Sequence, residues 1–314
     1  MSPGEDHLEE VAARFGLGRG PRVVGAPSRG ELGQVWRLET STGAWALKQL
    51  LEPETEEGAE SSARFQEAAV AAGVPAPSVV RTTDGRVLLA VDGVLLRVYS
   101  WVDVRPLDLG LDPVRLGSLL ASIHRLACPP PGPVHPWYTD PVGAAAWDRL
   151  VGALTRAGMP LAEPLAAHRD ELCALEGLLT EPAHLQHLHL DLWADNVRAT
   201  GSGGLCVLDW DNSGAGDPSQ ELASMLTEFC EGSPVRARLL HEAYVDAGGP
   251  GRVTRIEDFS MVIAQLGHIL ERHCRIWLRS DSPGARAHAA AAMEELVSRP
   301  LTRRVIEQIL DAVT

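Results

Sequence analysis

The sequence predicts an α+β chain of two lobes, a small mixed β lobe with one main helix and a larger, mostly helical one. Three observations carry that prediction. Between Pro21 and Val102, short extended runs alternate with turn dipeptides and are interrupted by a single alanine-rich helix. Beyond Asp103, apolar residues recur at helical spacing through most of the chain. A length of 314 residues also exceeds what one core normally serves, so two lobes are expected, 1–102 and 103–314.

The elements follow in order. A helix from Glu5 to Phe15 is stopped by Gly16-Leu17-Gly18-Arg19-Gly20. A dinucleotide-binding reading of that tract fails, because no strand precedes it and its third glycine is misplaced. Strands are expected over Arg22–Ala26, Gln34–Glu39 and Ala44–Leu50, with Thr42-Gly43 as a hairpin turn. The acidic segment Glu52–Ser62 leads into a helix over Arg64–Ala72, which Gly73-Val74-Pro75-Ala76-Pro77 ends. Strands return at Val79–Thr82, Arg86–Val91 and Gly93–Val102, with Asp84-Gly85 as a turn.

In the second lobe, Leu116, Leu119, Leu120, Ile123 and Leu126 form a helical stripe within Leu111–Leu126. Cys128–Pro136 is a proline-rich loop. Further helices are expected over Leu161–Leu179, Glu221–Cys230, Val235–Ala247, Glu257–Leu278, Ala285–Val297 and Thr302–Val313.

Composition excludes several classes. The formal net charge of -14 would repel a phosphate backbone, which argues against nucleic acid and favours a neutral or cationic small substrate. No apolar stretch is long enough to span a bilayer, and the acidic start Met1–Asp6 does not read as a secretory signal. Five cysteines without C-x-x-C spacing fit a reducing cytoplasm. No obligatory protein partner is evident.

The chemistry concentrates in His189-Leu190-Asp191-Leu192-Trp193-Ala194-Asp195-Asn196 and, after a glycine turn, Leu208-Asp209-Trp210. Phosphoryl transfer from a nucleotide needs a carboxylate at the acceptor hydroxyl and oxygen ligands for Mg2+. In the spacing H-x-D-x-x-x-x-N, Asp191 takes the first role, and Asn196 with Asp209 the second. Val197–Thr200 and Leu205–Leu208 read as strands joined by Gly201-Ser202-Gly203-Gly204, a hairpin that returns Asp209 to the side of Asn196. Upstream, Trp45-Ala46-Leu47-Lys48 fits V-A-I-K: Lys48 would meet the inner phosphates and Ala46 would wall the adenine slot. Glu67 on the following helix would orient Lys48. The stretch Ser28–Trp36, starting at Ser28, would cover the phosphates, and Arg97–Val102, with Tyr99 and Trp101, would form the hinge beside the adenine. His184, His187 and His189 match no common zinc spacing.

On these residues, in this order along the chain, the sequence resembles the aminoglycoside phosphotransferase and choline kinase-like family from about Val23 to Leu278. The resemblance implies a two-lobed protein-kinase-like fold and an ATP- or GTP-dependent small-molecule kinase, without the activation segment or D-F-G of a protein kinase. It implies that Asp217, in Asp209–Pro218, braces the catalytic loop, and that Glu228, Glu231, Asp258 and Glu271 border the acceptor pocket. Two positions depart from the family pattern. Leu190 stands where Gly is common, and Arg198 stands where an apolar or aromatic floor for adenine is usual: either its guanidinium stacks on the base or the nucleotide sits differently. An aminoglycoside-like or other amine-bearing acceptor is expected. A metabolite kinase of the fructosamine, choline or homoserine kinase type, or a non-catalytic nucleotide-binding module, are the alternatives.

Overall fold

The computed structural model describes residues 5–29, 33–230 and 232–314. In chain order it contains α1 (Glu5–Arg14), β1 (Arg22–Arg29), β2 (Gly33–Thr40), β3 (Gly43–Leu50), α2 (Glu56–Ala71), β4 (Val79–Val80), β5 (Leu89–Val91) and β6 (Val94–Ser100). There follow α3 (Pro113–His124), α4 (Ala144–Arg156), α5 (Ala162–Glu176), β7 (Gln186–Leu188), β8 (Val197–Ala199), β9 (Leu205–Val207) and β10 (Gly214–Gly216). The chain ends with α6 (Pro218–Cys230), α7 (Pro234–Asp246), α8 (Ser260–Arg279), α9 (Pro283–Ser298) and α10 (Arg303–Val313). Two compact units result, one of residues 1–108 with 189–213, the other of 109–188 with 214–314. The segment 189–213, which the sequence puts in the second lobe, clusters with the first unit.

The first unit is built on an antiparallel sheet in the order β1-β2-β3-β6-β4, with β5 also on β6. Alternation along β3 turns Leu47 into the core and Lys48 to the opposite face. Leu8 and Val11 of α1, and Phe15 just after it, pack with Leu38, Leu47 and Val98, closing that side of the sheet with apolar contact.

Helix α2 starts eight residues before the expected Arg64, inside the acidic segment. Thr55 caps it by accepting from the Gly58 N–H, and Glu56 and Glu57 lie in its first turn, where the helix dipole favours negative charge. Its outer face is held by ion pairs to Arg81 and Arg86 rather than by an apolar stripe, which is why periodicity alone missed that half.

The second unit is helical. Helix α3 packs on α7, α8 on α9, and α4 on α5 and α8. Gly117 permits the first of these contacts, since a Cβ there would lie 2.2 Å from the Leu240 carbonyl oxygen of α7. Helix α4 was not expected from the sequence. Its Trp147, Leu150 and Leu154 are buried with Leu165, Leu270 and Met293, so it belongs to a hydrophobic core of that unit. Among the described residues no helix is long and apolar enough to cross a membrane.

Candidate active site

The loop between His189 and Asn196 is shaped by its own backbone. The N–H groups of Asn196 and Val197 both donate to the Trp193 carbonyl at 2.9 Å, closing a tight turn that leads into β8. The β8–β9 hairpin pairs Val197 with Val207, and the Leu208 N–H donates to the Asn196 carbonyl at 2.8 Å. The hairpin thereby returns Asp209 to the neighbourhood of Asn196, as its short glycine turn predicts. His189 is buried, with Nε2 3.0 Å from the Leu208 carbonyl oxygen and its ring edge-to-face on Trp210. Trp210 also meets Phe65 of α2 edge-to-face, at 5.4 Å between centroids.

Two residues of this segment have left-handed backbones, Leu190 at φ 64° and Asp209 at φ 52°. Such backbones cost about 1–2 kcal/mol in a residue with a Cβ, so something must hold them. At Leu190 the compensation is burial: the side chain is 2% exposed, worth about 1.5–3 kcal/mol.

Asp191 has a fixed orientation. The Asn196 Nδ2 donates to its Oδ2 and to its backbone carbonyl, both at 2.9 Å, and the Asn212 Nδ2 donates to the same Oδ2 at 3.0 Å. Burial, then the charges of Asp209 and Asp195, push the Asp191 carboxyl up to about 7 against the opposing Asn212 hydrogen bond and Lys48 charge. Its carboxylate is therefore poised to take a proton near neutral pH. Since the Asn196 amide nitrogen is spent on Asp191, its oxygen is left as a hard donor, and Asp209 keeps its side chain 37% exposed. No three His, Cys, Asp or Glu among the described residues could hold a metal by themselves. A carboxylate and an amide oxygen fit Mg2+, which uses few protein ligands and takes the rest from phosphates and water.

Lys48 reaches this loop from the sheet. Its Nζ lies 2.6 Å from Asp209 Oδ1 and 2.9 Å from Asp211 Oδ2. Burial alone would lower the affinity of the ammonium for its proton, but Asp211 and Asp209 outweigh it and raise the pKa. Pairing of β3 with β6 sets Lys48 opposite Arg97 and Ala46 opposite Tyr99, so Lys48, Arg97 and Tyr99 leave one sheet face together and meet Asp211. Arg97 and the Tyr99 hydroxyl both donate to Asp211 Oδ1, the latter at 2.9 Å. Burial would raise the Asp211 carboxyl, but Lys48 and Arg97 hold it below the ordinary carboxylate range.

Several expectations need correction. Glu67 does not meet Lys48: it forms a two-point pair with Arg81, at 2.8 and 3.0 Å, because it lies two helical turns from Glu60 and both face β4. The Tyr99 hydroxyl is turned to Asp211 rather than to an adenine slot. The hinge N–H groups of Ser100 and Trp101 already donate to the Ser78 and Ala44 carbonyls, so neither reads the adenine edge. The Trp101 indole donates to Asp103 at 2.7 Å, and Arg37 stacks on its ring.

Arg198 is anchored along the edge of its guanidinium. Its guanidinium donates to the Arg105 carbonyl at 2.6 and 3.1 Å, which ties the hairpin to the segment after β6. Ser28 is exposed on β1 opposite Val35, and the apex of the expected phosphate-covering turn, Gly30-Glu31-Leu32, lies outside the described residues. Asp217 braces the chain entering β7, accepting from the N–H groups of Ala183, His184 and Ser219 at 2.9 Å each.

Of the residues near the proposed acceptor pocket, Asp258 caps a turn through Thr254 and Arg255, and Glu271 pairs with Arg275 and His268. Glu231 lies outside the described residues. Two residues central to the geometry, Asp211 and Asn212, had no role assigned from sequence, and a third, Arg97, was placed only in the hinge segment. The acid and amide directly after Asp209-Trp210 were the available signal, whereas Arg97 is distant in sequence and carried none.

Residues 24–254 match the model of the phosphotransferase enzyme family, APH. No curated protein sequence matches closely enough to count as a relative. Solved structures share the fold at low identity. Spectinomycin phosphotransferase APH(9)-Ia, in complex with ADP and spectinomycin, superposes with a TM-score of 0.67 at 13% identity, covering 99% of each chain. An aminoglycoside phosphotransferase from Alicyclobacillus acidocaldarius gives 0.58 at 14%, covering 92% of this chain and 91% of its own. A microcompartment-associated aminopropanol kinase gives 0.55 at 17%, covering 93% and 95%.

Proposed function

Because the chain belongs to the phosphotransferase enzyme family, we propose that it transfers a phosphoryl group from ATP to a hydroxyl of a small, amine-bearing molecule. The observation that carries this reading is the convergence of an oriented Asp191, the Asn196 and Asp209 oxygens, and a buried Lys48 within one compact unit. Asp191 accepts hydrogen bonds from two amides on one oxygen, which leaves its other oxygen to take the acceptor's hydroxyl proton. Lys48 neutralises the inner phosphates, and its raised pKa keeps it charged throughout the physiological range. Asn196 and Asp209 hold Mg2+, which when bound screens the phosphate charge and fixes the phosphoryl group for in-line transfer.

The net charge of -14 supports an amine-bearing acceptor, since an acidic protein concentrates cations near its surface. The names of the fold's solved members, spectinomycin phosphotransferase and aminopropanol kinase, fit acceptors of that kind. A panel of aminoglycosides, amino-alcohols and neutral sugars, each offered with ATP and with GTP, tests the reading. Transfer is expected with amine-bearing alcohols. Asp191→Asn should lower turnover by at least about a thousandfold while nucleotide affinity stays within about twofold. Full activity in that variant would sink the mechanism, and transfer only to neutral sugars would sink the acceptor class.

A further inference from the structure

We propose that Asp211, clamped by Arg97 and Tyr99, is the carboxylate that positions Lys48 on the phosphates, and that Arg97 relays this positioning to helix α2. The inference rests on the phosphotransferase reading above and names residues that it leaves without a role.

Lys48 touches two carboxylates that differ in their freedom. Asp209 has a side chain 37% exposed and is one of the oxygens offered to Mg2+. Asp211 is 12% exposed, and both its oxygens are engaged, Oδ1 by Arg97 and Tyr99 and Oδ2 by Lys48. An ion on the nucleotide's phosphates competes with Lys48 for the exposed Asp209, whereas Asp211 is shut in between Arg97, Tyr99 and Lys48. The Lys48–Asp211 contact therefore survives nucleotide binding, while the Lys48–Asp209 contact is exchanged. Lys48, Arg97, Asp209 and Asp211 balance to zero charge before the nucleotide arrives. Once Asp209 is engaged by an ion, the remaining three present one net positive charge to the phosphates.

Helix α2 supplies no carboxylate to Lys48, since Glu67 is committed to Arg81. It contributes two neutral acceptors to Arg97 instead: the Ala59 carbonyl and the Ser62 hydroxyl, both 2.9 Å from Nη2. Arg97 is 1% exposed and carries its five-donor fork into this site, so a single planar group joins helix, sheet and the turn after β9. A purely structural ion pair has no need of the third partner, Lys48, which is 5% exposed and could be replaced there by an apolar residue.

The test compares full-length wild type with Asp211→Asn, Tyr99→Phe, Glu67→Gln and Lys48→Met, measuring thermal unfolding, calorimetric affinity for ATP and for adenosine, and steady-state kinetics. Asp211→Asn is expected to weaken ATP binding and lower kcat/KM by about tenfold each, with adenosine affinity unchanged, because only phosphates report on Lys48. Tyr99→Phe removes a single hydrogen bond and should move the same quantities in the same direction by less, which keeps the test decisive if Asp211→Asn fails to fold. Glu67→Gln should match wild type. The proposal is overturned if Asp211→Asn or Tyr99→Phe loses adenosine and ATP affinity in parallel, if both match wild type, or if Glu67→Gln falls as far as Lys48→Met. Wild type that binds no nucleotide would instead overturn the phosphotransferase reading, and this inference with it.

Discussion

Each unit of the molecule buries a polar network, and the two differ in kind. In the second unit His124 stands between Glu221 at 2.6 Å and the Tyr244 hydroxyl at 2.7 Å, and the His124 and Glu221 side chains are 0% and 1% exposed. The Tyr244 hydroxyl in turn accepts from the Gly251 N–H, so the chain of donors ends on backbone. In the first unit Lys48 faces two carboxylates, one of them open to solvent. A sealed network whose groups satisfy one another locks α3, α6 and α7 together. A network with a surplus carboxylate at its open end is arranged to change partners when a charged ligand arrives. Burial alone does not separate structural from catalytic groups; surplus and access do.

Three substitutions break or sharpen that contrast. The largest effect on activity is expected at the open network: Lys48→Met should lower kcat/KM by about 100-fold to 1000-fold, with a smaller loss of stability than at the sealed network, since Asp211 Oδ2 loses Lys48 but Oδ1 keeps Arg97 and Tyr99, and Asp209 regains water. Steady-state kinetics beside a thermal melt checks both halves. At the sealed network the balance should invert. Glu221→Ala strands the buried Nε2 of His124 and should cost about 3 kcal/mol in denaturant unfolding, with kcat per folded molecule unchanged. If Glu221→Ala instead lost turnover at full stability, the contrast would collapse. The smallest effect is expected at Gly33, where a Cβ would stand 2.7 Å from Lys48 Cε. Gly33→Ala mainly displaces the flexible Lys48 side chain and crowds the Gln49 carbonyl oxygen at 3.1 Å, so the fold should hold while KM for ATP rises a few-fold, on the order of 1 kcal/mol or less.

What the sequence disclosed follows the range of each interaction. Asp191, Asn196 and Asp209 were legible because a short loop and hairpin fix them by local spacing, and Lys48 because alternation along one strand decides its face. Its partner was not legible. Choosing between Glu67 and Asp211 requires knowing that α2 turns Glu60 and Glu67 together toward Arg81, which is a matter of helix phase against a strand distant in sequence. The same limit explains Arg198, whose acceptor, the Arg105 carbonyl, lies 93 positions away. Helix α4 was missed although Trp147, Leu150 and Leu154 carry a helical period, because the alanines and glycine around them dilute it.

The left-handed backbone at Leu190 bears on how the molecule responds to heat. A glycine there would take the left-handed backbone without strain, whereas Leu190 holds it only while its side chain stays packed. Packing loosens locally before a domain melts as a whole. The orientation of Asp191 should therefore be lost first, and activity should fade on warming several degrees below the unfolding transition.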